Sequence, residues 1–358
     1  MNTKEYIKKL PLDAYLKNRI TLTTSCNDCE YIPKVKNAGK IFPHEKIPYQ
    51  LMHNGIKVVL DGYHGRGIRE IIFLLKGHHE PQEEKIFYEL LKHVKKNSIA
   101  LELGSHWSYY SLWFNREIKG AVNYLIEPDP SNLEVGKLNF KINNAKGSFF
   151  NAFISNNSSQ NLNFECESDN IIRKIQGVNV DDFLRKNKID FLEMLLVDIQ
   201  GFELKMLKGM VRSIREKKIR FLFLSTHHHS ISHDPLIHEK CLDFLNQHNA
   251  YIIVSHTIFE SFSGDGLIVA SFDKNDTKLE KIDISRNFSG NYIFKPLSYD
   301  LDKAFKRIDE LLSDNISKEI IIKEKNEEIK KIYNSKSWRL IVVLKKILFF
   351  ISFKKFYK

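Results

Sequence analysis

The chain has 358 residues, 42% hydrophobic and 28% charged, enough for one large domain with appendages or for two domains. Its formal charge of +11 is concentrated at one end: residues 336–358 hold seven basic residues and no acid, leaving about +4 elsewhere. That distribution argues against the evenly basic body of a nucleic-acid-binding protein, and four cysteines in this length do not make a disulfide scaffold.

The opening MNTKEYIKKLPLD lacks the apolar core of a secretory leader. No segment reaches the ~18–20 uninterrupted apolar residues of a spanning helix, so the chain is expected in the reducing cytoplasm. Cys26 and Cys29 form one CxxC pair. Zinc needs about four ligands and two more are not evident, so the pair reads as two reduced thiols in a turn. Residues 1–43 show little periodicity. Residues 49–60, YQLMHNGIKVVL, predict two short strands around Asn54-Gly55. Residues 62–67 read as a glycine-rich loop before a short apolar piece at 68–75. A helix follows, with Pro81 in its first turn, Glu83 and Glu84 at its positive end, and Ile86, Phe87, Leu90, Leu91 and Val94 in one stripe. His78 and His79 precede it. They read as surface histidines, with a place beside a ligand pocket as the alternative.

Residues 98–129, SIALELGSHWSYYSLWFNREIKGAVNYLIEPD, read as strand, tight turn, helix, strand: the first half of a nucleotide-binding βαβ unit. Gly104 permits a sharp turn and close approach to a ligand. Glu127, at the tip of the next strand, can accept hydrogen bonds from both hydroxyls of a ribose. The turn holds Ser105, His106 and Ser108 instead of a G-x-G-x-x-G fingerprint, and no Lys or Arg awaits a pyrophosphate. That disfavours a nicotinamide-dependent enzyme and favours a ligand with ribose but no phosphate, such as S-adenosylmethionine.

Alternation then continues. A helix is predicted at 132–143, a strand at 148–154, a polar irregular insertion at 155–176, and a strand end and helix at 178–186. A strand at 191–197 ends in Asp198, with its helix at 202–216. A strand at 219–224, a helix at 235–248 and strands at 251–255 and 267–271 follow, the last two around Gly264-Asp265-Gly266. The pattern predicts a doubly wound α/β sheet. From about residue 300, Ile308, Leu311, Leu312, Ile316, Ile320, Ile329 and Ile332 recur at helical spacing. This predicts a long amphipathic helix, either a coiled coil pairing two chains as a homodimer or a helix packed on its own domain. Residues 336–358 mix Trp338 and large apolar residues with lysines, as an interfacial membrane anchor does.

Four motifs in series, ELGSHWSYYSLWF, YLIEPDPSNLEVGKLNFKIN, VDDFL and LLVDIQGFELKMLKG, resemble the FkbM-like methyltransferase family in order and spacing, over roughly residues 80–271. The resemblance implies a class I methyltransferase (Rossmann-like) fold with its last strand antiparallel. It also implies S-adenosylmethionine as donor and O-methylation of a hydroxyl, often on a sugar. Glu102, Gly104, Ser105, Tyr110, Glu127 and Asp129 are then the expected donor-binding residues. Where the family's first motif has Asp, Gly, Asn and Gly, this chain has Glu102, Gly104, His106 and Ser108; Gln200 replaces a glutamate. The organisation expected is an N-terminal extension with a β-hairpin at 1–79 and a methyltransferase domain at 80–299. An amphipathic or coiled-coil helix at 300–335 and a basic, membrane-associating tail at 336–358 complete it. The SWRL element resembles the tails of bacterial cell-surface glycan enzymes, which implies a glycan acceptor and a place at the cytoplasmic face of the membrane.

Ligands of open α/β sheets bind beyond the carboxyl ends of the strands. There, Asp198 and the run Ser225-Thr226-His227-His228-His229 fall on neighbouring strands. Alternate residues leaving a strand share a face, so His227 or His229, with Asp198, is expected to take the acceptor's proton. Asp198, His227, His229 and Asp265 are also compatible with a divalent metal. Gln200 and Glu203 read as organisers of the following helix start. Two alternatives stay open: a structural polar cluster at the histidines, and a non-catalytic scaffold of a glycan-assembly complex, for which Ser108 in place of glycine speaks.

Overall fold

The computed structural model describes residues 2–43, 47–156, 158–288, 293 and 297–355. They form two units, residues 1–294 and residues 295–358.

The first unit is built on a seven-stranded sheet: β1 (Ile99–Leu103), β2 (Val122–Ile126), β3 (Ser148–Phe150), β4 (Leu192–Val197), β5 (Ile219–Thr226), β6 (Tyr251–His256) and β7 (Gly266–Ser271). The spatial order is β6-β7-β5-β4-β1-β2-β3. The five strands from β3 to β5 run parallel, and β7 lies antiparallel to both β5 and β6. This is the class I methyltransferase sheet, with its antiparallel strand inserted next to the edge. The central strands are nearly continuous apolar runs because helices cover both faces. Their side chains alternate between two cores: Ala100, Met194, Leu196, Phe221 and Phe223 on one face, Leu101, Leu103, Leu195, Val197 and Leu222 on the other. Each such buried Leu, Val, Met or Phe side chain stabilises the fold by about 1.5–3 kcal/mol relative to exposure. Phe150, Ile126, Leu103, Val197 and Leu224 pair in register across five strands. The residues that follow them, among them Glu127, Gly104, Asp198 and Ser225, therefore emerge along one edge. The strand order reverses between β1 and β4, where a crevice opens.

Several local expectations are corrected. Residues 1–43 include two helices, Thr3–Lys9 and Ala14–Thr23, capped by the side chains of Asn2 and Asp13. Strands Tyr49–Leu51 and Lys57–Val59 pair around Gly55, and Ile41–Phe42 adds a third. The glycine-rich stretch is not all loop: a helix runs Gly65–Leu74, with Ile68, Ile71 and Ile72 buried at helical spacing. These segments share a core with the sheet through Ile7, Ile20, Met52 and Ile71. The strand expected at 148–154 is split, its second half, Phe153–Ile154, joining a small sheet. The other strands of that sheet, Ser159–Glu165 and Ile172–Val178, occupy the stretch read as irregular, whose polar composition hid them. The helix expected at 202–216 breaks at Gly209-Met210 into Glu203–Lys208 and Val211–Arg215. Cys26 and Cys29 are buried free thiols.

The second unit consists of helices Leu297–Asn334 and Lys336–Lys355. Ser335 separates them, and its hydroxyl accepts from Trp338 N. Ile308, Leu312 and Ile316 of the first helix, and Leu340, Val343 and Phe349 of the second, are exposed. No helix among the described residues is long and apolar enough to cross a membrane.

Candidate active site

Gly104 leaves β1 at φ +73°, and a Cβ there would lie 1.7 Å from the carbonyl oxygen of Asp198. Only glycine permits that approach, which brings the ends of β1 and β4 together and floors a cavity of about 240 Å³. Glu102, Gly104, Ser105, Tyr110, Glu127 and Asp129 all line it. Their situations differ. Glu127 Oε2 accepts from His106 N and Oε1 from Asp129 N, both at 3.0 Å, which fixes the carboxylate at the tip of β2. Burial pushes its pKa up to about 8 against the pull of those two N–H groups. Glu102 Oε2 and Ser105 Oγ are buried without a hydrogen-bond partner among the described residues. Tyr110 donates to Glu80 Oε2 at 3.1 Å. Asp129 is engaged elsewhere: it accepts from Ser131 N and Asn132 N at the start of helix Pro130–Ile142, and from Ser168 N and Oγ.

The turn works without its usual glycines. His106 and Ser108 take positive φ values of 32° and 60°. Room for Ser108 comes from across the turn, where a Cβ on Gly136 would lie 2.4 Å from Ser108 Oγ.

Sequence reasoning missed part of this wall. His78 and His79 are buried rather than on the surface, and His79, Glu80 and Glu83 line the cavity. Glu84 Oε1 accepts from His79 Nδ1 at 2.8 Å, and His79 Nε2 is 3.0 Å from Glu80 Oε2. Burial opposes the charge of His79, but Glu80 and Glu84 outweigh it and raise its pKa to about 10. The legible signal was the group of acids around Pro81, which also suits a helix start. Tyr63, from the stretch read as loop, stacks on Trp107 with centroids 4.4 Å apart.

A second space, about 300 Å³, is lined by Arg19, His227, Ser263 and Asp265, and shares Tyr63, His64, Glu167, Asp198 and Gln200 with the first. His227 follows the end of β5. Its Nδ1 is 2.7 Å from Glu203 Oε1, and its Nε2 is 3.0 Å from Asp198 Oδ1 and 3.9 Å from Asp265 Oδ1. Thr226 pairs with Gly266, which brings Asp265 beside the ring. Burial disfavours the imidazolium, but Asp265, Asp198 and Glu203 prevail and hold its pKa well above the ordinary value. Asp198 keeps 46% of its side chain exposed to the open cavity. Desolvation acts to raise its pKa, and the close contact with His227 and its charge bring it below the usual carboxylate value. Burial raises Asp265 to about 6, with Asp198 adding and His227 opposing.

His229 is not brought to this site. β5 ends at Thr226 and a helical turn, His229–Ser232, begins after the cap residue His228, so strand alternation does not extend to it. It lines neither space, and its ring lies 4.2 Å from that of His228. Asp198, His227, His229 and Asp265 are therefore not a converging ligand set. Among the described residues, the group with ligand atoms within 4.8 Å of one another is His53, His78 and Glu84. There Glu84 already accepts from His78, His79 and the backbone. Glu203 does organise its loop, accepting from Gly201 N at 2.9 Å, but its larger role is to hold His227.

Residues 93–253 match the family model described as Methyltransferase FkbM domain. No curated protein matches the chain in sequence. Among solved structures, precorrin-6y C5,15-methyltransferase of Geobacter metallireducens GS-15 is similar at 13% identity and a TM-score of 0.34, over 52% of this chain and 86% of that one. TrmK of M. capricolum, in complex with S-adenosyl-homocysteine, is similar at 12% identity and 0.36, over 69% and 95%. Magnesium protoporphyrin IX methyltransferase of Synechocystis PCC 6803, with bound SAM, is similar at 9% and 0.35, over 53% and 77%. The match begins before β1 and ends within β6, so residues 93–253, which hold most of this sheet, are similar to the FkbM methyltransferase domain.

Proposed function

We propose that the chain is an S-adenosylmethionine-dependent O-methyltransferase acting on a sugar hydroxyl, of a cell-surface glycan or a lipid-linked saccharide, at the cytoplasmic face of the membrane. The carrying observation is the position of Asp198: it lines both spaces, and His227, itself held by Glu203, fixes it there.

The residues present fit the donor. Gly104 leaves an opening at the end of β1 that a Cβ would close, Glu127 presents a fixed carboxylate for vicinal hydroxyls, and Glu102 Oε2 and Ser105 Oγ are buried polar atoms in want of partners. When bound, S-adenosylmethionine supplies an electrophilic methyl group on a cationic sulfur. The protein aligns the acceptor and receives its proton. Charge decides which residue does the latter. His227 lies among three carboxylates that hold its pKa well above the ordinary value, which favours the imidazolium, a form with no lone pair to offer. Asp198 is ionised, open to the cavity and oriented by His227. In this reading Asp198 takes the hydroxyl proton as the new carbon–oxygen bond forms, and His227 is a positioning residue. A weak base suffices because the hydroxyl becomes strongly acidic as its oxygen is alkylated. The scaffold alternative rested on the turn, yet Ser108 takes the left-handed conformation that the missing glycine would.

Location and assembly belong to the same reading. Helix Lys336–Lys355 interleaves exposed Leu340, Val343, Ile347 and Phe349 with Arg339, Lys345 and Lys346. Such a helix can bury its apolar side chains at a bilayer surface while the basic heads meet anionic lipid. The exposed Ile308, Leu312 and Ile316 of helix Leu297–Asn334 suit pairing with a second copy.

The test is calorimetry of the full chain with S-adenosylmethionine, followed by labelled methyl transfer to glycolipid and monosaccharide acceptors. Donor binding with transfer that Asp198→Asn removes is the expected result. No binding at millimolar donor would sink the reading.

A further inference from the structure

The described lining of the donor cavity contains many carboxylates and no lysine or arginine. Several of these carboxylates are occupied within the fold, and Glu102, in β1, keeps one oxygen without a partner among the described residues. Glu127 accepts two backbone N–H groups, Asp129 caps a helix, and Glu80 is held by His79 and Tyr110. Glu83 differs. It is 3% exposed and lines the cavity, and no hydrogen bond or ion pair reaches it among the described residues. It is not needed as a helix cap, because Glu84 accepts from His79 N at 2.7 Å and from Glu80 N at 3.3 Å. Burial and the charges of Glu80, Asp265 and Asp198 raise its pKa well above the carboxylate range. A carboxylate left so costs the fold stability unless a cation arrives.

Position along the sheet edge identifies the cation. Glu127 follows β2 and feels the charges of Asp129 and Glu167. Glu83 feels Glu80, beside its own helix, and then Asp265, Asp198 and His227, at the ends of β7, β4 and β5. With the ribose at Glu127 and the sulfur near Asp198, the amino-acid arm is left to the rest of the same lining, which includes Glu83. We propose that Glu83 is the counter-ion of the donor's α-ammonium group. The inference rests on the S-adenosylmethionine reading above and adds a residue to it.

The full chain is titrated calorimetrically with three probes. S-adenosylmethionine carries both the ammonium and the cationic sulfur, S-adenosylhomocysteine keeps only the ammonium, and 5′-methylthioadenosine has neither. Glu83→Gln should weaken the first two about 10- to 100-fold and change the third by less than about twofold, as loss of a charge-assisted hydrogen bond does. Glu83→Asp, which keeps the charge, should recover part of the S-adenosylhomocysteine affinity. A loss confined to S-adenosylmethionine would assign Glu83 to the sulfur and overturn the proposal. Equal losses for all three probes, or none, overturn it as well. These results leave the donor reading standing; a wild-type chain that binds none of the three overturns both.

Discussion

The imidazole of His227 holds Asp198 from the side, with Nε2 3.0 Å from Oδ1, and turns its other nitrogen to Glu203 at 2.7 Å. The pair stands where the two cavities meet. Asp198→Asn is expected to lower kcat by about 10²–10⁴-fold while donor binding persists. The pH profile separates the two bases. At saturating donor, kcat should stay flat over about pH 6–8, because the Asp198 carboxyl lies below its ordinary range and is ionised throughout. Were neutral His227 required, its raised pKa would make kcat climb with pH over that interval. Such a climb would reassign the base.

Glu127→Ala should abolish measurable donor binding with the fold retained. The lost carboxylate also leaves His106 N and Asp129 N without an acceptor, so some stability goes with it. Unchanged affinity would remove Glu127 from the ribose site.

The same residue makes a stability prediction. Its pKa is about 8 in the fold against an ordinary 4.5, so the folded state binds the proton more tightly than the unfolded one. The advantage is fully present below pH 4.5 and is lost as pH rises towards 8. The Tm of the donor-free wild type should therefore fall relative to Glu127→Gln as pH rises through that window. A constant difference would contradict the buried, desolvated carboxyl.

Ser108 and Gly136 form a matched pair across the turn. Ser108→Gly relieves a left-handed serine and should be neutral or stabilising by up to about 1 kcal/mol. Gly136→Ala should destabilise by about 1–3 kcal/mol through overpacking against Ser108 Oγ and His106 O. In the double variant the serine part of that cost should disappear. Strict additivity in thermal or urea unfolding would show that the two do not touch.

Removal of residues 336–358 should move the protein from the membrane fraction to the soluble fraction. Binding of the full chain should be stronger to vesicles with anionic lipid than to neutral ones, and weaker at high salt. A truncated chain that still pellets with membranes would end the anchor reading.

Much of the frame was legible in order along the chain. Apolar runs of strand length, helical stripes and Gly104 before a glycine-poor turn were enough to place the strands of the sheet and the tips that carry Glu127 and Asp198. These are local patterns, set by the two-residue period of a strand and the 3.6-residue period of a helix. What lay beyond reach depends on neighbours distant in sequence. Whether His229 follows His227 to the site turns on the strand ending at Thr226. The charge of His227 depends on Glu203 and Asp265, from other elements. Glu83 looks like any first-turn acid until Glu84 is seen to do the capping and the cavity is seen to leave Glu83 alone. Periodicity reports which side of an element is buried; only packing decides what that side meets, and the charge, partner and reactivity of a buried group follow from what it meets.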